Sequence, residues 1–169
     1  MKNNIWISSS FFSKNNIDEI IIEMKKINFT KLELTAGIER EPNIENKLLN
    51  YEQEGFEFLI HNYFPKPKQE FVINLASTNL KNINRTLDHC VDSIKLASKL
   101  NNKTYSVHSG FAFEMDINLI GNMTKQSEYI EENKFEIEIA FEQMVINSNK
   151  ILKIADELGV EIIFENNMI

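Results

Sequence analysis

The chain is poor in cysteine, has no long apolar run and carries no excess of positive charge. Each scarcity removes a class of protein. Its one cysteine, Cys90, cannot form an internal disulfide, which points to a reducing, cytoplasmic setting. No uninterrupted apolar stretch approaches the roughly 20 residues of a membrane helix, so no membrane partner is expected. The first residues, Met1-Lys2-Asn3-Asn4-Ile5-Trp6-Ile7, lack the apolar stretch and small-residue cleavage site of a secretory leader. Eighteen basic against 25 acidic residues leave a net charge of −7, which argues against general nucleic-acid affinity, since that depends on phosphate neutralisation. There is no Gly-x-Gly-x-x-Gly, no P-loop and no Gly-x-Ser-x-Gly; Ser8-Ser9-Ser10 matches none of them. Linkers and low-complexity tracts are also missing. What remains, in 169 residues that are 43% hydrophobic and 25% charged, is a globular protein of one domain or a piece of one.

Five short β-type runs alternate with helical stretches. The runs are Ile5–Ser8, Lys31–Leu34, Phe56–His61, Thr104–His108 and Val160–Glu165. Between them apolar residues recur at helical spacing. One stripe is Ile17, Ile20, Ile21, Met24 and Ile27, capped by Asn15 or Asn16. A shorter one is Ile44, Leu48, Leu49 and Tyr51, ending at Gly55. The two long stripes are Leu80, Ile83, Leu87, Val91, Ile94 and Leu100, and Ile137, Phe141, Met144, Ile151, Ala155 and Leu158, closed by Gly159. Burial of Leu87, Val91, Ile94, Ile137, Phe141, Met144, Ile151 and Leu158 against the sheet is expected. Phe141→Ala then costs about 3–5 kcal/mol.

Strand–helix alternation predicts right-handed βαβ units and a parallel sheet covered by helices, an α/β fold. Two connections are long and read as non-helical: 62–78, with Pro65 and Pro67, and Ser109 to about Asn133. Both follow the carboxyl end of a strand, where parallel α/β folds bind ligands.

Three polar residues close apolar strands at that end: His61, His108 and Glu165. Two imidazoles and a carboxylate suit a borderline divalent cation such as Zn²⁺, Mn²⁺ or Co²⁺. If Val107 faces the helices, Ser106 and His108 face the other way. The same alternation separates Ile162 and Phe164 from Ile163 and Glu165. Glu33, between Leu32 and Leu34, faces away from both, toward a barrel interior or a polar edge. Tyr63 and Phe64, just past His61, form either a hydrophobic wall for a ligand or an anchor for the loop. His89 sits mid-helix and reads as helix surface or edge, and Cys90 reads as a small core residue.

Four places resemble the xylose-isomerase-like TIM-barrel superfamily of sugar phosphate isomerases and epimerases, related to the endonuclease IV type of abasic-site nuclease. They are His61-Asn62-Tyr63-Phe64-Pro65 followed by Ile73-Asn74-Leu75-Ala76-Ser77; the helix Asn84-Arg85-Thr86-Leu87-Asp88-His89-Cys90; Val107-His108-Ser109-Gly110-Phe111; and Leu158-Gly159-Val160 leading to Phe164-Glu165-Asn166-Asn167. The resemblance implies a metal at the carboxyl mouth of the barrel held by His61, His108 and Glu165. It also implies substrate contacts from Glu33, Asn62, Tyr63, Asn74 and Asn166, with Glu165 as ligand or base. A complete barrel of this type needs roughly 200–250 residues and eight strands. The expectation is therefore a single partial (β/α)₈-barrel domain over 1–169, incomplete, with about five β/α units ending at the fifth strand. It is either the amino-terminal part of a longer protein or a half-barrel completed by a second chain.

The implied activity is metal-dependent isomerisation or epimerisation of a sugar or sugar phosphate. A carboxylate moves the proton alpha to a carbonyl that the metal polarises. The alternatives are a phosphodiesterase acting on abasic DNA, disfavoured by the acidic balance, and a non-catalytic truncated or interaction subunit. An unrelated open sheet of flavodoxin type predicts a phosphate-binding loop after the first strand, and Ser8-Ser9-Ser10 lacks its glycines.

Overall fold

The structure is a computed structural model that describes residues 5–166. The first four residues of the amino-terminal stretch and Asn167 of the fifth-strand motif lie outside them. Five parallel strands form one sheet in the order β1-β2-β3-β4-β5: β1 (Ile7–Ser8), β2 (Lys31–Leu34), β3 (Glu57–His61), β4 (Thr104–His108) and β5 (Glu161–Glu165). Sequential parallel neighbours are what successive right-handed βαβ units give. The expected strands are present, three of them trimmed at the amino end.

Helix α1 (Ile17–Lys26) starts at Asn16, whose side chain accepts from the backbone N–H groups of Asp18 (2.9 Å) and Glu19 (3.3 Å). Asp18 and Glu19 in its first turn and Lys25 and Lys26 in its last complement the helix dipole. Ile17, Ile20, Ile21 and Met24 are buried, whereas Ile27 caps the helix and is 46% exposed. Helix α2 (Ile44–Gln53) buries Leu48, with Leu49 and Tyr51 packed at the margin.

Between β3 and α3 (Leu80–Ala97) the chain runs without a helix, as expected, yet residues 71–77 are all buried. The buried face of α3 is Ile83, Thr86, His89, Cys90, Ser93, Ile94, Leu96 and Ala97. This corrects two expectations. Leu80 is 70% exposed and Leu87 and Val91 are only half-buried, because the face that meets the sheet is centred on Cys90 and Ile94. His89 is buried on that same face and is not a surface residue. Pattern counting ranks Thr, Ser and His as outward, but here each has a polar partner inside.

The connection after β4 is not helix-free. It holds a short 3₁₀ turn and helix α4 (Met123–Glu132), started by the Asn122 side chain accepting from Lys125 N at 3.3 Å. No residue of α4 is buried, so it has no apolar stripe to betray it.

Helix α5 (Ile137–Leu158) buries Ala140, Asn147, Ile151 and Ala155. Of the residues expected there, Ile151 and Ala155 are buried and Met144 is half-buried. Ile137 is 72% and Phe141 63% exposed, and Leu158 is also exposed. The helix packs against α3 and β5 on one flank; no element described here covers the other.

The strands sort their side chains in two directions. Leu32, Leu34, Phe58, Ile60, Tyr105 and Val107 are fully buried under the helices. Tyr105 reaches α3 directly, with its hydroxyl 3.6 Å from Cys90 Sγ. The alternate residues, Glu33, His61, Ser106, His108 and Glu165, share the opposite, interior face.

Candidate metal centre

Register places the site. Ile60 pairs with Tyr105 and His61 with Ser106, while His108 pairs with Glu165. The last interior-facing residues of β3, β4 and β5 thus meet at one mouth of the sheet. One ligand atom from each of His61, His108 and Glu165 lies within 4.8 Å of the others. Glu165 Oε2 is 3.4 Å from His61 Nε2 and 3.8 Å from His108 Nε2. The two imidazoles stand edge to face, with centroids 5.5 Å apart. Ligands about 2.0–2.2 Å from a tetrahedral ion stand about 3.3–3.6 Å apart, so the donor set fits a borderline divalent cation with little adjustment.

The carboxylate is oriented by a third residue. Ser106 Oγ donates to Glu165 Oε1, which leaves Oε2 to face the histidines. Burial pushes the Glu165 carboxyl up, but the Ser106 hydrogen bond, then His61 and His108, outweigh it and hold the group below its ordinary value. Burial, joined by the neighbouring His61, lowers the pKa of His108 against the pull of Glu165. Both shifts favour the forms a cation needs, an ionised carboxylate and a neutral imidazole.

The other candidates take different places. Asn62 is buried beside His108, with Nδ2 3.1 Å from His108 Nδ1. Tyr63 anchors the loop: its hydroxyl accepts from Ile73 N at 2.7 Å and its ring packs on Phe71 and His89. Its half-buried ring still borders a shallow apolar groove with Ala36, Phe71, Ile117 and Ile120. Asn74 is 1% exposed and its amide is fully engaged within the protein. Nδ2 donates to Phe111 O (3.1 Å) and Phe113 O (3.0 Å), and Oδ1 accepts from Ala76 N and Phe111 N. It clamps the loop after β3 to the loop after β4. Gly110 completes that clamp, since a Cβ at its φ of +123° would collide with Asn74 Oδ1 and come within 2.8 Å of Ala76 N. Glu33 lies half-buried on the interior face of β2, outside the triad, and Asn166 is exposed at the rim past β5.

Sequence reasoning missed the residues behind the site. His89 and Ser93, one turn apart on α3, hold the chain that follows His61. Ser93 Oγ donates to Phe64 O at 2.9 Å, and His89 Nε2 is 2.9 Å from Asn62 O. Two polar residues four apart within an apolar stripe were the available signal.

No protein-family model matches the chain, and no curated protein matches it. Solved structures do. A D-tagatose 3-epimerase-like protein superposes with a TM-score of 0.63 at 19% identity over 96% of this chain and 53% of its own. D-psicose 3-epimerase from Clostridium cellulolyticum, solved with D-tagatose, gives 0.62 at 13% identity over 93% and 50%. A Thermus thermophilus protein soaked with ZnCl₂ gives 0.53 at 14% over 96% and 55%. The chain therefore has the fold of part of a TIM-type (β/α) barrel and spans about half the length of the solved structures it matches.

Proposed function

We propose that this chain forms part of a metal-dependent isomerase or epimerase of sugars or sugar phosphates, with His61, His108 and Glu165 as the ligands it contributes to a divalent cation. The observation that carries the reading is the convergence of these three donors within 4.8 Å at the carboxyl mouth of a partial barrel. The substrate class is taken from the sugar epimerases that share the fold. A cation bound there polarises a substrate carbonyl and lowers the barrier to removing the adjacent proton.

The chain's own residues divide the work. Ser106 occupies one oxygen of Glu165 and the histidines face the other, so Glu165 acts as a ligand. The proton-transferring carboxylate then comes from another strand. Glu33 and Asn166 stand on the interior face and rim to contact substrate, and Tyr63 supplies an apolar wall. Asn74 shapes the loops without reaching the substrate. Polypeptide that pairs with β5 and covers α5 supplies the remaining ligands and the far wall, either in the same chain or in a second one.

Calorimetric titration of the chain with Zn²⁺, Mn²⁺ and Co²⁺ tests the ligand set. Binding is expected to be weak, and lost in His61→Ala and His108→Ala. Equal binding by both variants removes the triad from the site. Epimerisation, followed as incorporation of solvent deuterium into a ketohexose or its phosphate, is expected only once the barrel is complete. A donor set of two imidazoles and a carboxylate also suits zinc-assisted phosphodiester hydrolysis. Cleavage of an abasic DNA duplex in place of sugar exchange would select that reading, against the charge of −7.

A further inference from the structure

Asn62 follows the first histidine of the triad, and its conformation is unusual. Its φ is +42°, a region that Asn tolerates better than other residues with a side chain. Its peptide is gripped from two elements. Asn62 N donates to Ser106 O on β4 at 2.6 Å, and its carbonyl accepts from the Tyr105 hydroxyl at 3.0 Å and lies 2.9 Å from His89 Nε2. The side chain is thereby aimed at one residue. Oδ1 accepts from His108 N at 3.4 Å, and Nδ2 stands 3.1 Å from His108 Nδ1.

That amide decides which nitrogen of His108 carries the hydrogen. With the NH₂ group against Nδ1, Nδ1 must accept, so Nε2 carries the hydrogen and its lone pair is not available to a cation. With the amide turned over, Oδ1 accepts Nδ1–H and Nε2 is free to ligate. The amide is nearly symmetric in shape, so a half-turn swaps the two states; it replaces the long bond from His108 N by two donors facing each other, a cost that ligation of the cation by Nε2 must outweigh. We infer that Asn62 is a positioning residue that sets the tautomer and ring orientation of His108, its amide turning over when a cation binds. The inference rests on the metal reading above and reassigns Asn62 from substrate contact to support of a ligand.

Three proteins test it: the unaltered chain, Asn62→Gly, which keeps the positive φ at no strain, and Asn62→Asp, which offers Nδ1 acceptors only. The first readout needs no metal. Nitrogen-15 chemical shifts of the His108 ring are expected to report Nε2–H in the unaltered chain, Nδ1–H in Asn62→Asp and a mixture in Asn62→Gly. The second readout is Zn²⁺ titration, in which Asn62→Gly weakens binding about 10–100-fold and Asn62→Asp binds at least as tightly as the unaltered chain. Thermal melting confirms that both variants fold; if Asn62→Gly does not, Asn62→Asp alone decides by its tautomer. Identical ring tautomers in all three proteins, or unchanged Zn²⁺ affinity in Asn62→Gly, overturn the inference. If instead His61→Ala and His108→Ala bind Zn²⁺ unchanged, the metal reading fails, and the metal-free tautomers still decide the role of Asn62.

Discussion

Helices α3 and α5 are the two longest in the chain, and both carry an apolar stripe, but they end up in different situations. Helix α3 packs on α5, β3 and β4, and Lys99 just beyond it ion-pairs with Glu45 of α2 at 2.7 Å. Among the described residues, helix α5 packs on α3 and β5, and it leaves Ile137, Ile139, Phe141, Val145 and Ile146 exposed. Beside it, β5 pairs with β4 along one edge, and Ile163 and Phe164 are exposed. Among the described residues nothing pairs with its other edge, and such an edge next to a large apolar surface is a liability that proteins cover. In the solved structures this fold matches, the matched part is about half of the whole. The lesson is that helical periodicity identifies an apolar face without saying that the face finds a partner.

The largest expected effect makes this contrast quantitative. Ile94 and Ile151 are fully buried, one on each helix. Ile94→Ala and Ile151→Ala should each destabilise by about 2–5 kcal/mol in urea unfolding. Phe141→Ala, at a site already facing water, should change stability by less than about 0.5 kcal/mol. A large loss at Phe141 would mean that its ring is covered in solution by another chain, and the loss would then grow with protein concentration.

Next in size is the clamp on the α3 side. Asn74 N donates to Thr86 Oγ1 of α3 at 3.2 Å, in addition to three side-chain hydrogen bonds that join the two long loops and a fourth, from Ala76 N, within the first. Asn74→Ala leaves Phe111 N, Ala76 N and two carbonyls without their partner, at about 1–3 kcal/mol. Hydrogen exchange should rise at Ala76 and Phe111 and stay unchanged along α5. Equal acceleration in both places would mean that the loops and α5 open together.

How far these features were legible in the sequence depends on what each rests on. Strands β2 to β5 were readable because short apolar runs bounded by turn residues have few other solutions. His61, His108 and Glu165 could be singled out because they end such runs. Helix α4 was hidden because it buries nothing. The face of α3 was misplaced because its inner residues include Thr86, His89 and Ser93, whose burial depends on partners from distant elements. Exposure of Phe141 was out of reach of any local pattern, because it depends on a neighbour that the described residues do not supply. The loop role of Asn74 likewise depends on Gly110 and Phe111, contacts that exist only after the two loops meet.

The two helices should also differ in response to acid. Burial lowers the pKa of His89 on α3 below its ordinary 6.5, against opposing contributions from Asn62 O and Asp92. A base whose folded-state pKa is depressed binds its proton more readily when unfolded. Its contribution to stability is therefore complete above pH 6.5 and is lost as the pH falls through the folded-state value. The buried face of α5 holds Ala140, Asn147, Ile151 and Ala155, none of which titrates. Unfolding midpoints should fall between pH 7 and pH 5, and His89→Gln should reduce that fall while His108 retains its share. An unchanged slope would place the acid sensitivity elsewhere.

The smallest effect concerns how the two helices begin. Asn79 caps α3, its side chain accepting from Lys81 N at 3.0 Å and Asn82 N at 3.3 Å. Glu136 occupies the same position before α5 but makes no capping bond, although its φ of −58° and ψ of 138° are non-helical, as a capping position requires. The glutamate side chain is one methylene too long to fold back on the second and third N–H groups. Asp has the right reach and keeps the negative charge at the positive end of the helix dipole. Glu136→Asp should therefore add about 0.5–1 kcal/mol of local stability. The first turn of α5 is the stretch where Ile137 and Ile139 are exposed, so local opening there need not involve global unfolding. The gain is expected as slower amide exchange at Glu138 and Ile139 with little change in the unfolding midpoint. Asn79→Ala, at the start of the covered helix, should lower the midpoint itself. If Glu136→Asp raises the midpoint as much as Asn79→Ala lowers it, the start of α5 is as firmly held as that of α3, and the contrast between the covered and uncovered helices fails at their amino ends.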